Sequence, residues 1–264
     1  MTAITCCCAQ VKSCWEDPEG TIRRVTPFIT RAVQEDAAII AFPEQFATGW
    51  DPASASHIES TDGPIVTALA RLAGEYGIVI LGSFREGTSG LPRNTAIAVG
   101  SRGEILASYA KIHPFSPAGE DRHFSAGTGI GTFVLNGAKL GIAICYDLRF
   151  PELFRIYAEQ GVHGVLVPAA WPASRMRHWE IFIRSRALDN QMYVAGINTT
   201  GTTPVDTYQG GTMAADPSGN VLLLAGDDEG VYFFTLDPAE TETARQASRV
   251  SADRRDPLYR KYLS

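Results

Sequence analysis

The chain has 264 residues, 45% of them apolar and 20% charged, enough for one large domain or two small ones with a core that needs no metal or disulfide staple. Its 23 Lys and Arg stand against 29 Asp and Glu, a formal charge of −6, which argues against nucleic acid or an anionic membrane as a partner, because both need clustered cations. No apolar run reaches the ~18–20 residues of a bilayer span. The start, MTAITCCCAQVKSCWEDPEG, lacks a basic stretch followed by an apolar one, so the cytoplasm is the expected compartment. Cys6, Cys7, Cys8 and Cys14 crowd one end and Cys145 stands alone. That is no disulfide framework, and the thiols are expected to be free.

Short apolar runs alternate with helical stretches, the pattern of an α/β fold. Ile4–Val11 reads as a strand. Thr21–Gln34 reads as a helix with Ile22, Val25, Ile29 and Val33 at helical spacing. The run 37–42 (AAIIAF) is a buried strand cut off by Pro43, and Pro64–Tyr76 a helix stopped by Gly77. Ile78–Phe84 is a further buried strand. Residues 96–100 and 105–110 pair as a hairpin around Arg102 and Gly103. A strand at 140–144 precedes a helix at 151–159 that begins with proline and closes at Gly161. After a strand at 162–167 comes a helix at 178–191 carrying Ile181, Ile183 and Leu188, with Glu180 and Arg184 spaced for an i,i+4 pair. Strands at 193–198, 211–215, 221–225 and 230–236 complete a strand-rich second half. So many strands exceed one comfortable sheet, and their apolar runs need cover on both faces. Two packed sheets with helices outside, a layered α-β-β-α body, are expected, as a single domain (1–264) whose residues 245–264 form a polar C-terminal arm on a surface.

Three polar residues end strands. Cys145 closes LGIAIC, and the following YDLRFPELFR turns into a helix, so backbone N–H groups beside the sulfur favour a thiolate and can hold an oxyanion. Glu44 follows AAIIAFP and Lys111 follows ILASYA. Sites of α/β enzymes lie outside the carboxyl ends of strands. There a thiol, a base and an ammonium would make a nucleophile, its proton acceptor and a stabiliser of a tetrahedral oxyanion. Each residue also has a plainer reading, a buried small thiol or a solvated loop charge.

Glu44 in FPEQF, Lys111 in YAKIH and Cys145 in GIAICYDLRFPEL, in that order, resemble the Glu-Lys-Cys triad of the nitrilase superfamily of carbon–nitrogen hydrolases. The resemblance runs from AQV near residue 10 to DPSGNV at 216–221. CYDLRFPE, PAAWP, HWEIFIRSRALDNQ and GINTTG are most similar to the ω-amidase branch, whose members hydrolyse the side-chain amide of α-keto acids such as 2-oxoglutaramate. It implies a four-layer α-β-β-α sandwich of two mixed sheets, homodimers or higher homo-oligomers, and a cofactor-free, metal-free route through a thioester on a small-molecule amide. It further implies Cys145 as nucleophile, Glu44 as general base, Lys111 as electrostatic stabiliser, Glu120 in GEDRHFSAG as a second glutamate beside the lysine, and the N–H of Tyr146 as an oxyanion donor.

Arg149 suits a substrate carboxylate, because a guanidinium binds one bidentately; the alternative is an ion pair with Glu152 or Asp147. Trp171, after GVLVPAA, is either an aromatic wall of the pocket or packing between layers. Arg175 and Arg177 could add positive potential or simply be solvated. Two departures from the family stand out: Pro114 where an apolar residue, often Leu, is usual, and the Cys6–Cys8 run.

A zinc site from His113, His123 and the cysteine run matches no ligand spacing, and none of His57, His113, His123, His163 or His178 lies in a recognised Cys–His motif. No GxGxxG or GxxxxGK[ST] occurs. The remaining alternatives are an N-carbamoyl amidase, a nitrilase or a deaminated-glutathione amidase of the same family, and a non-catalytic small-molecule binding protein.

Overall fold

In the computed structural model, which describes residues 2–263, the Cys6–Cys8 run shows how the layers are made. Successive strand residues point to opposite faces. Cys6 and Cys8 lie in the core between two sheets, with Ile39, Leu81, Ala96 and Leu140, while Cys7 faces the outer helices with Ile29, Ile40 and Leu69. All three are buried and unpaired, so the run reads as small packing residues.

The first half of the chain contains strands β1 (Ile4–Gln10), β2 (Ile39–Ala41), β3 (Ile58–Glu59), β4 (Val79–Glu86), β5 (Arg93–Val99) and β6 (Ile105–Ala110), with helices α1 (Pro18–Gln34) and α2 (Pro64–Tyr76) between them. Then come β7 (Gly131–Leu135), β8 (Ala138–Ile142), α3 (Pro151–Glu159), β9 (Gly164–Ala169), α4 (Met176–Asn190) and β10 (Tyr193–Asn198). The remainder is β11 (Thr200–Thr202), β12 (Thr207–Gln209), β13 (Met213–Ala215), β14 (Val221–Leu224), β15 (Gly230–Leu236), α5 (Pro238–Ala247) and α6 (Asp256–Leu263).

One sheet runs β15-β1-β2-β4-β5-β6, with β3 beside β4, and the other β14-β13-β10-β9-β8-β7; β11 and β12 form a separate hairpin. Both large sheets are mixed: β1-β2-β4 and β8-β9-β10 are parallel, as is β3 on β4, and β15, β5, β13 and β7 pair with them antiparallel. Helices α1 and α2 cover the first sheet through Val25, Ile29, Leu69 and Leu72. Phe154 and Tyr157 of α3 and Trp179 and Ile183 of α4 pack on the second. The expected α-β-β-α sandwich of two mixed sheets is the observed architecture.

Local chemistry explains the boundaries. Asp17 caps α1 by accepting from the N–H of Gly20 at 2.9 Å, so the helix begins at Pro18, earlier than its apolar stripe. That stripe is Thr21, Val25, Ile29 and Ala32, and Val33 lies outside it, exposed. In α4, Glu180 and Arg184 approach to 3.5 Å as the spacing predicts, but Ile181 and Leu188 are exposed and Ile183 alone of the three apolar residues reaches the core. Beyond β15 the expected polar arm contains the last residues of α5 and all of α6. Arg155 of α3 bonds Asp256 at the start of α6. No helix among the described residues is long and apolar enough to cross a membrane.

Candidate active site

Glu44 leaves the carboxyl end of β2, where Phe42 still pairs with Leu81. Lys111 leaves β6, its N–H bonding the Asn94 carbonyl at 2.8 Å. The two strand ends, both of the first sheet, meet around one ammonium: Nζ of Lys111 donates to Oε1 of Glu44 at 2.7 Å and to Oε2 of Glu120 at 2.8 Å. All three side chains are buried. Glu44 also accepts from the backbone N–H of Ala170, just after β9, at 3.0 Å. Thus a residue that follows the second sheet's β9 reaches the Glu44 carboxylate of the first.

Glu120 occupies a 3-10 turn after Gly119, whose φ of 78° suits glycine. It accepts from the N–H of Phe115 at 2.6 Å and from Trp50 Nε1 at 3.4 Å. Asn94 of β5 joins the two carboxylates, its Nδ2 donating to Glu44 at 2.7 Å and to Glu120 at 3.0 Å. The residues alone did not single out Asn94, because it sits between Arg93 and Thr95 in the polar start of RNTAIAV and only the structure shows that it is buried.

Cys145 stands on a sharp turn with φ of 46°, a conformation costly for a residue with a Cβ. The turn is a five-residue 3-10 segment, Cys145–Arg149, and only then does α3 begin. The expected direct passage from strand into helix is therefore corrected, and the N–H groups nearest the sulfur belong to the 3-10 turn. Asp147 holds that turn. It accepts from Ile144 N–H at 2.8 Å, Tyr109 Oη at 2.7 Å, and His113 N–H and Nδ1 at 3.1 and 2.7 Å. His113 also stacks on Phe150 with ring centroids 3.6 Å apart. With these bonds it is a strut of the turn. Among the described residues no group of three or more His, Cys, Asp or Glu is placed to hold a metal ion.

The electrostatics divide the two glutamates. Burial pushes the Glu44 carboxyl above its ordinary range, helped by Glu120 and opposed by Lys111. Burial also acts on Glu120, but the Lys111 ammonium and the N–H donors outweigh it and hold that carboxyl low. Burial works against the Lys111 charge, yet Glu120 and Glu44 outweigh it and raise its pKa. The Cys145 thiol is raised by burial and by Glu44, with Lys111 opposing. The resting site therefore holds a charged lysine, a charged Glu120, a protonated thiol and a carboxyl at Glu44 poised to exchange a proton.

Lys111, Cys145, Tyr146, Arg149, Trp171 and Arg175 line one cleft. Among the described residues Arg149 has no carboxylate partner; neither Glu152 nor Asp147 pairs with it. Its guanidinium lies 5.8, 5.6 and 5.1 Å from the ring centres of Tyr146, Trp171 and Phe182, and 3.1 Å from His178 Nδ1. Trp171 packs 5.4 Å from Trp179 and also lines the cleft. Arg177 is exposed and does not line the cleft. Pro114 leads into Phe115, which forms a wall together with Trp50 and Asp206, three lining residues that the sequence did not single out.

A two-sheet sandwich with a thiol, an ammonium and two carboxylates around one cleft defines an enzyme of the cysteine-hydrolase kind. The profile of the carbon-nitrogen hydrolase family matches residues 5–246, and the chain belongs to that family. It is 32% identical over 257 residues to the 2-oxoglutaramate amidase of Bacillus subtilis (strain 168), covering 97% of this chain and 99% of that protein. It is 31% identical to the omega-amidase NIT2 of Homo sapiens, covering 90% of each. A variant of the amidase from Nesterenkonia sp. AN1, with the acetamide moiety of fluoroacetamide covalently added at its active-site cysteine, superposes with a TM-score of 0.87 at 26% identity, covering 98% and 97% of the two chains. The protein is a hydrolase of carbon–nitrogen bonds other than peptide bonds, an amidase.

Proposed function

We propose that this amidase removes the terminal amide of a small carboxylate-bearing substrate of the 2-oxoglutaramate type, releasing ammonia, with Cys145, Glu44 and Lys111 as the catalytic residues. The observation that carries the reading is the Lys111 ammonium bridging Glu44 and Glu120 within the cleft that Cys145 opens onto. The names of the Bacillus and human relatives support the substrate class.

The thiol of Cys145 attacks the amide carbon while its proton passes to Glu44. The oxygen of the tetrahedral intermediate takes the negative charge, opposite Lys111 and the N–H of Tyr146. Glu44 then gives the proton to the amide nitrogen, the C–N bond breaks, and ammonia leaves a thioester. Water attacks that thioester, passing a proton to Glu44; the C–S bond breaks, the proton returns to sulfur, and the carboxylic acid departs. A base that must take up and give back a proton twice works best with a pKa raised toward neutrality, the direction of the Glu44 shift. Glu120, held charged, keeps Lys111 protonated and placed. Arg149 binds the distant carboxylate of the substrate, with Trp171 beneath it.

The remaining parts of the reading are a single domain over 1–264 with 245–264 as an arm, a homodimer or higher homo-oligomer, and a cytoplasmic location. Exposed Ile156, Ile181 and Leu188 on α3 and α4 support self-association, and free buried thiols support a reducing compartment. Sedimentation of the purified chain tests the first of these.

Ammonia release is to be measured from 2-oxoglutaramate, 2-oxosuccinamate, neutral aliphatic amides, nitriles and N-carbamoyl amino acids. Fastest turnover of the keto-acid amides is expected. Preference for a nitrile or a carbamoyl compound would assign another branch, and release from none would leave a binding protein.

A further inference from the structure

A second cluster lies behind Glu44, and the reaction does not use it. Arg85 of β4 is fully buried, at 0% exposure, in a position where burying a guanidinium costs several kcal/mol unless its donors are met. They are met. Nε donates to Gln45 Oε1 at 3.0 Å, and Nη2 to Glu16 Oε1 and the Gly49 carbonyl, both at 2.9 Å. Nη1 faces Ser54 Oγ, the Ser56 carbonyl and Glu16 Oε2 at 2.8, 2.9 and 3.1 Å.

All of these acceptors but Glu16 lie along one segment, residues 45–56. Gln45 directly follows Glu44 and has a φ of 46°, and its carbonyl accepts from the N–H groups of Thr48 and Gly49 at 3.1 and 2.8 Å, closing a tight turn. Gly49 directly precedes Trp50, which lines the cleft and bonds Glu120. Ser83, two residues before Arg85 on the same face of β4, accepts from the Gln45 N–H at 2.6 Å. From the other side, the Glu16 N–H bonds the Thr48 carbonyl at 2.8 Å. The guanidinium thus grips both ends of the turn whose neighbours are Glu44 and Trp50. A hydrophobic residue could fill the space but could not specify this turn conformation.

We propose that Arg85, paired with Glu16, is a positioning residue of the amidase, holding the 45–49 turn so that Glu44 stays against Lys111 and Trp50 stays against Glu120. The proposal rests on the role given above to Glu44. It acts through the backbone on either side of the turn and touches no reacting atom.

Arg85→Lys keeps a cation and loses the planar fork; Gln45→Met keeps the side-chain length and removes one acceptor. For each, kcat and KM on the best amide and the pH profile of kcat are measured, together with the pH dependence of Cys145 alkylation by iodoacetamide, read peptide by peptide by mass spectrometry. In Arg85→Lys, kcat is expected to fall about 10- to 100-fold, the scale of a small misplacement of a catalytic group. KM should change much less, and the acid limbs of both profiles should move; Gln45→Met should show the same changes in smaller measure. Wild-type kcat and unmoved limbs in folded Arg85→Lys would overturn the proposal. Should Arg85→Lys fail to fold, Gln45→Met decides by the same readouts. Failure of the wild type to turn over any amide would count against the proposed reaction alone, because the alkylation profile still reports the placement of Glu44.

Discussion

The backbone N–H of Ala170 donates to Oε2 of Glu44 at 3.0 Å, across 126 residues of chain. Glu44 follows a strand of one sheet and Ala170 a strand of the other, so the Glu44 carboxylate is held by both halves of the sandwich. Together with Lys111 and Asn94 on its other oxygen, this contact leaves the carboxylate a single orientation toward Cys145.

Replacing the proposed nucleophile separates chemistry from fold. Cys145→Ala and Cys145→Ser are expected to lose at least ~10⁴-fold in kcat, as loss of a covalent nucleophile does in other hydrolases. Thermal unfolding should be nearly unchanged, because the turn at Cys145 is held by Asp147 and not by the sulfur. Ammonia release and a melting curve check both halves.

Glu44 is expected to set the acid limb of the kcat profile. Its carboxyl lies above the ordinary 4.5 and must be ionised to take the thiol proton, so activity falls as pH drops through that raised value. Glu44→Gln should lower kcat by roughly 10²- to 10⁴-fold, the usual contribution of a general base, and remove the limb from what activity remains. Rate measurements across pH 4 to 8, on the order of the range over which a raised carboxyl titrates, test this.

Glu120 has the opposite sign. Its folded pKa lies below the unfolded value, so it contributes stability that is present above the unfolded pKa and lost as pH falls through the folded one. Glu120→Gln should therefore melt at a temperature that depends less on pH on the acid side than the wild type does. Equal acid sensitivity of the two proteins would contradict the assignment.

Arg149→Ala is expected to discriminate among substrates. A charge-assisted hydrogen bond contributes about 1.5–3 kcal/mol, roughly 10- to 150-fold in affinity. KM for a carboxylate-bearing amide should rise on that scale, and KM for a neutral aliphatic amide should not. Equal losses on both substrates would show that the guanidinium holds the fold and not the ligand.

The turn under the nucleophile has its own test. Tyr109→Phe removes the hydroxyl that donates to buried Asp147 at 2.7 Å. Leaving a buried acceptor short costs roughly 1–3 kcal/mol, to be read as a lower midpoint in denaturant. Iodoacetamide should then alkylate Cys145 more rapidly as the turn loosens.

Elements bounded by strong local chemistry were legible in the sequence. Helix α2 between Gly63 and Gly77, α3 from Pro151, and strands β10 and β15 occupy the residues their patterns mark. Helix α5 and strand β7 were not legible. Only Pro238 and Thr241 of α5 are buried, so it has almost no apolar period to detect, and β7 buries only Gly131 and Phe133 while its Val134 is exposed. The motifs around Glu44, Lys111 and Cys145 were visible because each lies at the end of a recognisable strand, with a local context shared by a family.

The primary structure alone therefore determined the layered fold and the types of reacting groups, since period, turn chemistry and motif are properties of neighbouring residues. Tertiary structure alone decided which glutamate carries the raised pKa, that Arg149 faces the cleft with no carboxylate partner among the described residues, that Asn94 links the two glutamates, and that Arg85 bonds Gln45, the residue after Glu44. Those outcomes depend on burial and on distances between segments remote in the chain. Glu44 and Glu120 carry the same side chain, and only the number and sign of the neighbours enclosing each one push their carboxyls in opposite directions.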